Sequence, residues 1–175
     1  MDTRRGWLFR RFEKYGLNLH PDKTRLVPFG WPVDNTEPPG GQSARPGTFD
    51  FLGFTHYWDK DRKGRPVIRR QTSRKRFGRS LKAISRWSRE NLHEPVGVQV
   101  EVLGRKLKGH FGYFGITGNF EALARYRWEV IRVWRKWLAR RGDPQGMPWE
   151  RMNRLLNFFY LPKARIVHSV SAAKP

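Results

Sequence analysis

The chain of 175 residues contains no cysteine. Disulfides, thiolate zinc sites and a cysteine nucleophile are therefore excluded, and the absence fits a reducing cytoplasm. No apolar run approaches the roughly 18 to 20 residues of a membrane-spanning helix, and no signal-peptide pattern opens the sequence. We therefore expect a cytoplasmic protein that has no membrane partner.

Acidic residues are scarce. The sequence has 15 Asp and Glu against 36 Lys and Arg, which gives a formal net charge of +21. A field of this strength attracts polyanions and binds phosphate backbones by releasing counterions, so nucleic acid is the first partner to expect. Hydrophobic residues make up 38% of the chain, which is enough for at least one folded core.

Catalytic motifs are also missing. Metal-dependent nucleotidyl transfer needs carboxylates that converge on two cations. The only close pair, Asp59 and Asp61, lies in the basic segment "DKDRKG", where Asp and Gly favour a turn. The five histidines show neither HExxH nor any paired spacing, and no GxSxG, Walker lysine loop or GxGxxG is present. We therefore expect no catalytic residue, no metal site and no cofactor in this chain.

Hydrophobic periodicity predicts an α+β fold, in which a short helix and a β-hairpin precede a bundle of three to four helices. A Pro- and Gly-rich flexible loop is expected over residues 31–48. The predicted elements are a helix over residues 1–15, strands from Phe49 to Trp58 and from Arg65 to Gln71, and helices from Ser73 to about Leu92, Val98 to Phe114, Phe120 to Arg141 and about Trp149 to Phe159.

Basic residues cluster around the end of the hairpin. Between Lys60 and Lys82 there are eleven Lys or Arg against one acid. A solvated face is one interpretation, but such faces usually mix both signs, so phosphate binding is favoured. The candidate RNA-binding residues are Arg69, Arg70, Arg74, Lys75, Arg76, Arg79, Lys82, Arg86 and Arg89.

Four aromatic residues could in addition stack on bases, although each of them alone is more often a core residue. They are Tyr57, Trp58, Tyr113 and Trp134.

Four segments, in this order, resemble parts of one known family. The palm segment written GLxLxxxKT followed by FG is similar to "KYGLNLHPDKTRLVPFG", and the FLGF hairpin of the primer grip is similar to "FDFLGFTHYW". The thumb, or maturase-specific X domain, is similar to the region containing "LKGHFGYFG" and a following "GN", and the short tail beyond it is similar to "LPKARIVHS". The chain thus resembles the C-terminal part of bacterial group II intron-encoded reverse transcriptases/maturases.

This resemblance implies an organisation and several roles. Residues 1–72 would be the end of the palm with the primer-grip hairpin, residues 73–162 the thumb (X) domain, and residues 163–175 a tail. Lys23 would lie beside the phosphates of the incoming nucleotide, although a surface lysine in a loop is an equal alternative. The primer grip would comprise Phe51, Leu52, Gly53 and Phe54.

The family's YxDD box does not occur in this sequence. The Mg²⁺ ions of the family would therefore be bound by palm carboxylates that this chain lacks. Three functions stay open at this point. The chain could be an RNA-binding fragment that assists intron folding and splicing or clamps a template–primer duplex, a subunit of a split reverse transcriptase completed by a complementary fragment, or a decayed relic.

Overall fold

The computed structural model describes residues 3–18, 20, 27, 29–30, 47–142 and 146–169. Within these residues it is a mixed α+β structure with five helices and an antiparallel three-stranded sheet in the order β1-β2-β3. The elements are α1 (Thr3–Glu13), β1 (Phe49–Phe51), β2 (Phe54–Lys60), β3 (Pro66–Thr72), α2 (Arg74–Glu90), α3 (Val96–Phe114), α4 (Phe120–Leu138) and α5 (Trp149–Phe158).

The expected α+β class is confirmed, whereas the assignment of its parts to a palm and a thumb stays a prediction. Lys23 and most of the predicted flexible loop, residues 31–46, lie outside the described residues.

The predicted strand from Phe49 to Trp58 is wrong in one respect, because a tight turn at Leu52 and Gly53 divides it into β1 and β2. Both turn residues have positive φ, 48° for Leu52 and 85° for Gly53. Two-residue hairpin turns of this kind match the right-handed twist of the strands, but they favour Asn or Gly at these positions. Leu52 therefore holds a strained backbone conformation.

The second turn, between β2 and β3, is the one predicted from "DKDRKG". The carboxylate of Asp61 accepts hydrogen bonds from the backbone N–H groups of Lys63 at 2.8 Å and of Arg65 at 2.9 Å. It also pairs with the side chain of Arg65 at 2.8 Å. Asp61 thus organises the turn, as its position in the segment predicts.

Helices α2 to α5 surround one hydrophobic core. The buried side of α4 consists of Leu123, Tyr126, Val130, Ile131, Trp134 and Leu138. Trp134 is fully buried, and its indole N–H donates a hydrogen bond of 2.8 Å to Gln99 Oε1. Trp134 is therefore a core residue, and base stacking by this side chain is ruled out.

An extended segment, residues 159–168, runs along α3, and we call it the strap. Three glycines, in α3 and at its C-terminal end, lie beside the strap. A Cβ on Gly97 would lie 3.6 Å from Phe159, one on Gly104 would lie 3.6 Å from Pro162, and one on Gly115 would lie 3.0 Å from the carbonyl oxygen of Arg165. The strap thus follows α3 from its first turn to its last.

The end of the strap is fixed by hydrogen bonds. The backbone N–H groups of Val167 and His168 both donate to the carbonyl of Gly115, at 2.6 and 2.8 Å. Arg127 of α4 donates from its Nε atom to the carbonyl of Pro162 at 3.0 Å. Residues beyond α5 therefore pack on the helical core through Leu161, Ala164 and Ile166, and they are hydrogen-bonded to the end of α3 as far as residue 168.

The chain forms two compact units. One comprises Met1–Phe49 with Tyr57–Val67, and the other comprises Asp50–His56 with Ile68–Pro175. In the first unit, Phe29 packs edge-on against Phe49 at 4.8 Å and stacks on Trp58 at 5.5 Å between ring centroids. The predicted domain boundaries after residues 72 and 162 stay predictions.

Candidate nucleic-acid interface

Five cations follow one side of α2, and we call them the basic stripe: Lys75, Arg79, Lys82, Arg86 and Arg89. All five are exposed. At 100° per residue they fall within a sector of about 80°, and they extend about 21 Å along the helix. The opposite side of α2 packs against the core through Phe77, Leu81 and Ile84.

The basic stripe has no internal counter-charge. None of its five cations forms an ion pair with a carboxylate of the described residues, and Glu90 is the only acid on α2. Elsewhere cations do find carboxylates, as in the contact of Arg132 with Glu129 at 3.1 Å. A run of uncompensated cations attracts an external polyanion rather than stabilising the fold.

At the N-terminal end of the stripe lies a cleft of about 210 Å³. Ser73 caps α2 there, because its hydroxyl accepts the N–H of Arg76 at 3.4 Å. The cleft is lined by Asp50, Leu52, Gly53, Ser73, Lys75, Arg76 and Arg79. Three cations beside the positive end of a helix dipole favour an anionic group such as a phosphate.

Asp50 is the one acid that lines this cleft. Its carboxylate accepts a hydrogen bond of 2.5 Å from the hydroxyl of Thr55 on β2. This bond orients the carboxylate without neutralising it. The carboxylate thus opposes anion binding in the cleft.

The turn between β1 and β2 forms one wall of the cleft, and both of its carbonyls are held. Tyr113 of α3 donates its hydroxyl proton to the Leu52 carbonyl at 2.8 Å, and the N–H of Ser73 donates to the Gly53 carbonyl at 2.9 Å. Leu52 is itself 65% exposed. The turn is thus a fixed support that presents an apolar side chain beside three cations.

The four predicted primer-grip residues divide between these environments. Phe51 and Leu52 are exposed, Gly53 makes the turn, and Phe54 packs against the rings of Tyr113 and Phe114 at 5.9 and 5.2 Å. The structure therefore places Leu52 and Gly53 beside the basic cleft and Phe54 against the core. Their role on a primer stays a prediction.

The other predicted cations are spread more widely. Arg74 and Arg76 are exposed in the first turn of α2, whereas Arg69 and Arg70 are neighbours on β3. Because side chains alternate along a strand, Arg69 and Arg70 point to opposite faces of the sheet, and only Arg70 is exposed.

Asn119 is a positioning residue that the residue pattern alone did not identify. Its side-chain amide donates to the hydroxyl of Thr72 at 2.9 Å and to the carbonyl of Phe114 at 2.8 Å, and its Oδ1 accepts the N–H of Thr72 at 2.9 Å. It thereby joins the end of β3 to the end of α3. Asn119 is the second residue of the "GN" pair in the segment that resembles the thumb domain, and this pair was the signal in the sequence that could have identified it.

Beneath the interface, His110 is buried in the core. Its ring stacks on Tyr126 with 3.6 Å between centroids and an interplanar angle of 9°. Burial lowers the pKa of His110 from 6.5 to about 4 and raises the pKa of Tyr126 to about 12. Both side chains are therefore neutral at pH 7.

Two further findings concern the described residues only. They contain no cluster of three or more His, Asp or Glu side chains that could hold a metal ion. None of their helices combines the length and the apolar character that crossing a membrane requires.

No protein family, no curated protein and no solved structure matches the chain.

Proposed function

We propose that this chain is an RNA-binding protein that clamps the phosphate backbone of a folded RNA along the basic stripe and in the adjoining cleft. The absence of any ion pair to the five stripe cations within the described residues carries this proposal. A-form RNA presents phosphates and 2′-hydroxyls more readily than base edges, so a rigid cationic helix suits recognition by shape.

The sequence resemblance supports a narrower role. In that role the chain is the C-terminal part of a group II intron reverse transcriptase/maturase, and it assists intron folding and splicing or clamps a template–primer duplex. It needs no protein nucleophile in splicing, because the intron RNA performs the chemistry. The basic stripe holds the RNA, and the fixed turn at Leu52 and Gly53 sets the end of the clamp.

The salt dependence of RNA binding tests the proposal. Replacing Arg79, Lys82 and Arg86 by Ala should flatten the slope of log K against log[salt] by about 2 to 3, at roughly 0.7 to 0.9 per lost phosphate contact. The three side chains are exposed, so circular dichroism and the thermal midpoint should stay unchanged.

The matched control removes the same charge from other surfaces. Lys108, Arg154 and Lys163 are exposed and form no side-chain ion pair with described residues. Their triple Ala variant should keep most of the slope. Equal slopes for the two variants would show that net charge alone binds RNA and that the stripe has no special role.

A second candidate is a subunit of a split reverse transcriptase. It is favoured by the exposed apolar side chains of Phe51 and Leu52, which are 59% and 65% exposed at the edge of the sheet. Primer extension with Mg²⁺ on a primed RNA template should be absent for this chain alone, because the described residues contain no cluster of carboxylates that could hold metal ions. Extension after addition of a palm fragment that carries YxDD would favour the split enzyme, whereas extension by this chain alone would contradict the split enzyme and the expectation that this chain has no catalytic residue.

A further inference from the structure

Two tryptophans stack on each other at the surface formed by α4 and α5. The rings of Trp128 and Trp149 are nearly parallel, with 4.9 Å between centroids and an interplanar angle of 7°. Trp128 is nevertheless 50% exposed. Because one face of its ring already lies on Trp149, the exposed area belongs to the other face and to the ring edge.

The stack is held in place from the side of Trp149. The guanidinium group of Arg135 lies 4.5 Å from the centroid of the Trp149 ring. Arg135 is in turn fixed by a hydrogen bond of 2.7 Å from Nη1 to the carbonyl of Met147. The open face of Trp128 is therefore preorganised, which lowers the entropy lost when a ligand stacks on it.

We propose that the open face of Trp128 binds an unpaired nucleobase by stacking. This proposal rests on the proposed RNA-binding function and adds to it a second contact, on α4 rather than on α2. Stacking on an aromatic side chain requires a base that is not already stacked in a duplex, so the ligand is a single-stranded segment of RNA.

The charges around Trp128 favour a nucleotide over an apolar peptide. Arg125 and Arg132 lie three residues before and four residues after Trp128, so they adjoin it on the same surface of α4. Arg132 is paired with Glu129, whereas the guanidinium group of Arg125 lies 5.3 Å from the centroid of the Phe77 ring and forms no ion pair with a carboxylate of the described residues. A nucleotide offers both a flat ring for Trp128 and a phosphate for Arg125.

Binding to two kinds of RNA distinguishes the stacking site at Trp128 from the proposed RNA binding by the basic stripe. The probes are a short unstructured adenosine-rich oligonucleotide and a fully paired duplex. Trp128→Ala should weaken binding of the single strand by about 5- to 100-fold, the loss of one stacked base, and leave duplex binding unchanged. Trp128→Tyr keeps an aromatic ring and should retain most of the affinity.

Phe120 provides the matched control. It lies on the same helix and is exposed to nearly the same extent, 52%, but stacks on no ring of the described residues. Phe120→Ala should leave both affinities unchanged. The proposal is overturned if Trp128→Ala binds the single strand as tightly as the wild type, if it loses both RNAs equally, or if Phe120→Ala loses as much.

RNA binding by the wild-type chain shows which of the two proposals has failed. If it binds neither RNA, the proposed RNA-binding function is wrong as well. If it binds both RNAs and Trp128→Ala changes neither affinity, only the stacking site is wrong.

Crosslinking of the wild type removes any dependence on the folding of the variants. An oligonucleotide that carries 5-iodouridine should crosslink to the peptide containing Trp128. Crosslinks confined to other peptides would overturn the proposal.

Discussion

The hydroxyl of Tyr113 donates a hydrogen bond of 2.8 Å to the carbonyl of Leu52, which lies 61 residues earlier in the chain. The bond ties the last turns of α3 to the one residue other than glycine that has positive φ among the described residues. A strained turn persists when its surroundings determine it. This contact is one of the two that hold the wall of the basic cleft.

Tyr113→Phe tests the importance of this bond. The variant keeps the ring contact with Phe54 and loses only the hydroxyl, so the free energy of unfolding should fall by about 1 kcal/mol. Hydrogen exchange of the turn amides should accelerate, and RNA affinity should fall a few-fold at constant salt slope, because the cations are unchanged.

Tyr160→Phe is the control, since the Tyr160 hydroxyl only accepts a bond of 3.4 Å from the N–H of Lys163. It should not change exchange at Leu52. Unchanged exchange in Tyr113→Phe would mean that the N–H of Ser73 is sufficient to fix the turn.

Asp50→Asn should strengthen RNA binding. Asp50 is the acid of the cleft that Lys75, Arg76 and Arg79 line, and its removal takes away repulsion of a phosphate there. The amide can still accept the bond from Thr55, so the fold should be kept. Titration at low and moderate salt should show a larger gain at low salt.

Asp59→Asn is the control, because Asp59 does not line the cleft, and it should change RNA affinity less. A weaker complex for Asp50→Asn would show that the carboxylate binds or orients something in the cleft rather than opposing it.

Asn119→Ala should destabilise the chain by roughly 2 to 4 kcal/mol, because it leaves the buried polar groups of Thr72 and the carbonyl of Phe114 without their hydrogen-bond partner. The loss should appear in chemical denaturation as a lower midpoint. Asn119→Asp should also be destabilising, since a carboxylate cannot donate to the carbonyl of Phe114 and its charge would be buried.

Asn157→Ala is the control, because Asn157 lies at an exposed position on α5, and it should change the stability little. Wild-type stability of Asn119→Ala would disprove the linking role.

Acid should destabilise the fold through His110. Its pKa is lowered from 6.5 to about 4 in the folded chain, so the unfolded chain binds one more proton between these pH values. The contribution to stability is complete above about pH 6.5 and is lost as the pH falls toward 4, by roughly 3 kcal/mol in total.

His110→Phe keeps a ring to stack on Tyr126 but cannot titrate. Unfolding free energies of the two proteins, measured from pH 7 to pH 4, should therefore diverge as the pH falls. Parallel curves would mean that His110 is protonated as readily in the folded chain as in the unfolded chain.

Much of the helical part was predictable, because the apolar residues of α2 and α4 recur at spacings of three and four. The turn at Leu52 was not, since Leu is not a usual residue for a turn position with positive φ and the partner hydroxyl of Tyr113 is distant in sequence.

The basic stripe was predictable from its spacing and from the lack of acids on α2. Trp128 was missed because tryptophan is usually a core residue. Trp128 lies six residues before Trp134, a spacing that does not place it on the buried side of α4. This spacing was the signal in the sequence that Trp128 is exposed.

The strap and α3 must also agree in length. From Gly97 to Gly115 the helix rises about 27 Å, and from Phe159 to Val167 an extended chain covers about the same distance. An additional turn in α3 would therefore require about two more residues in the strap, and a deletion in one would require a matching deletion in the other. Length changes in these two distant parts of the sequence should be tolerated only in pairs.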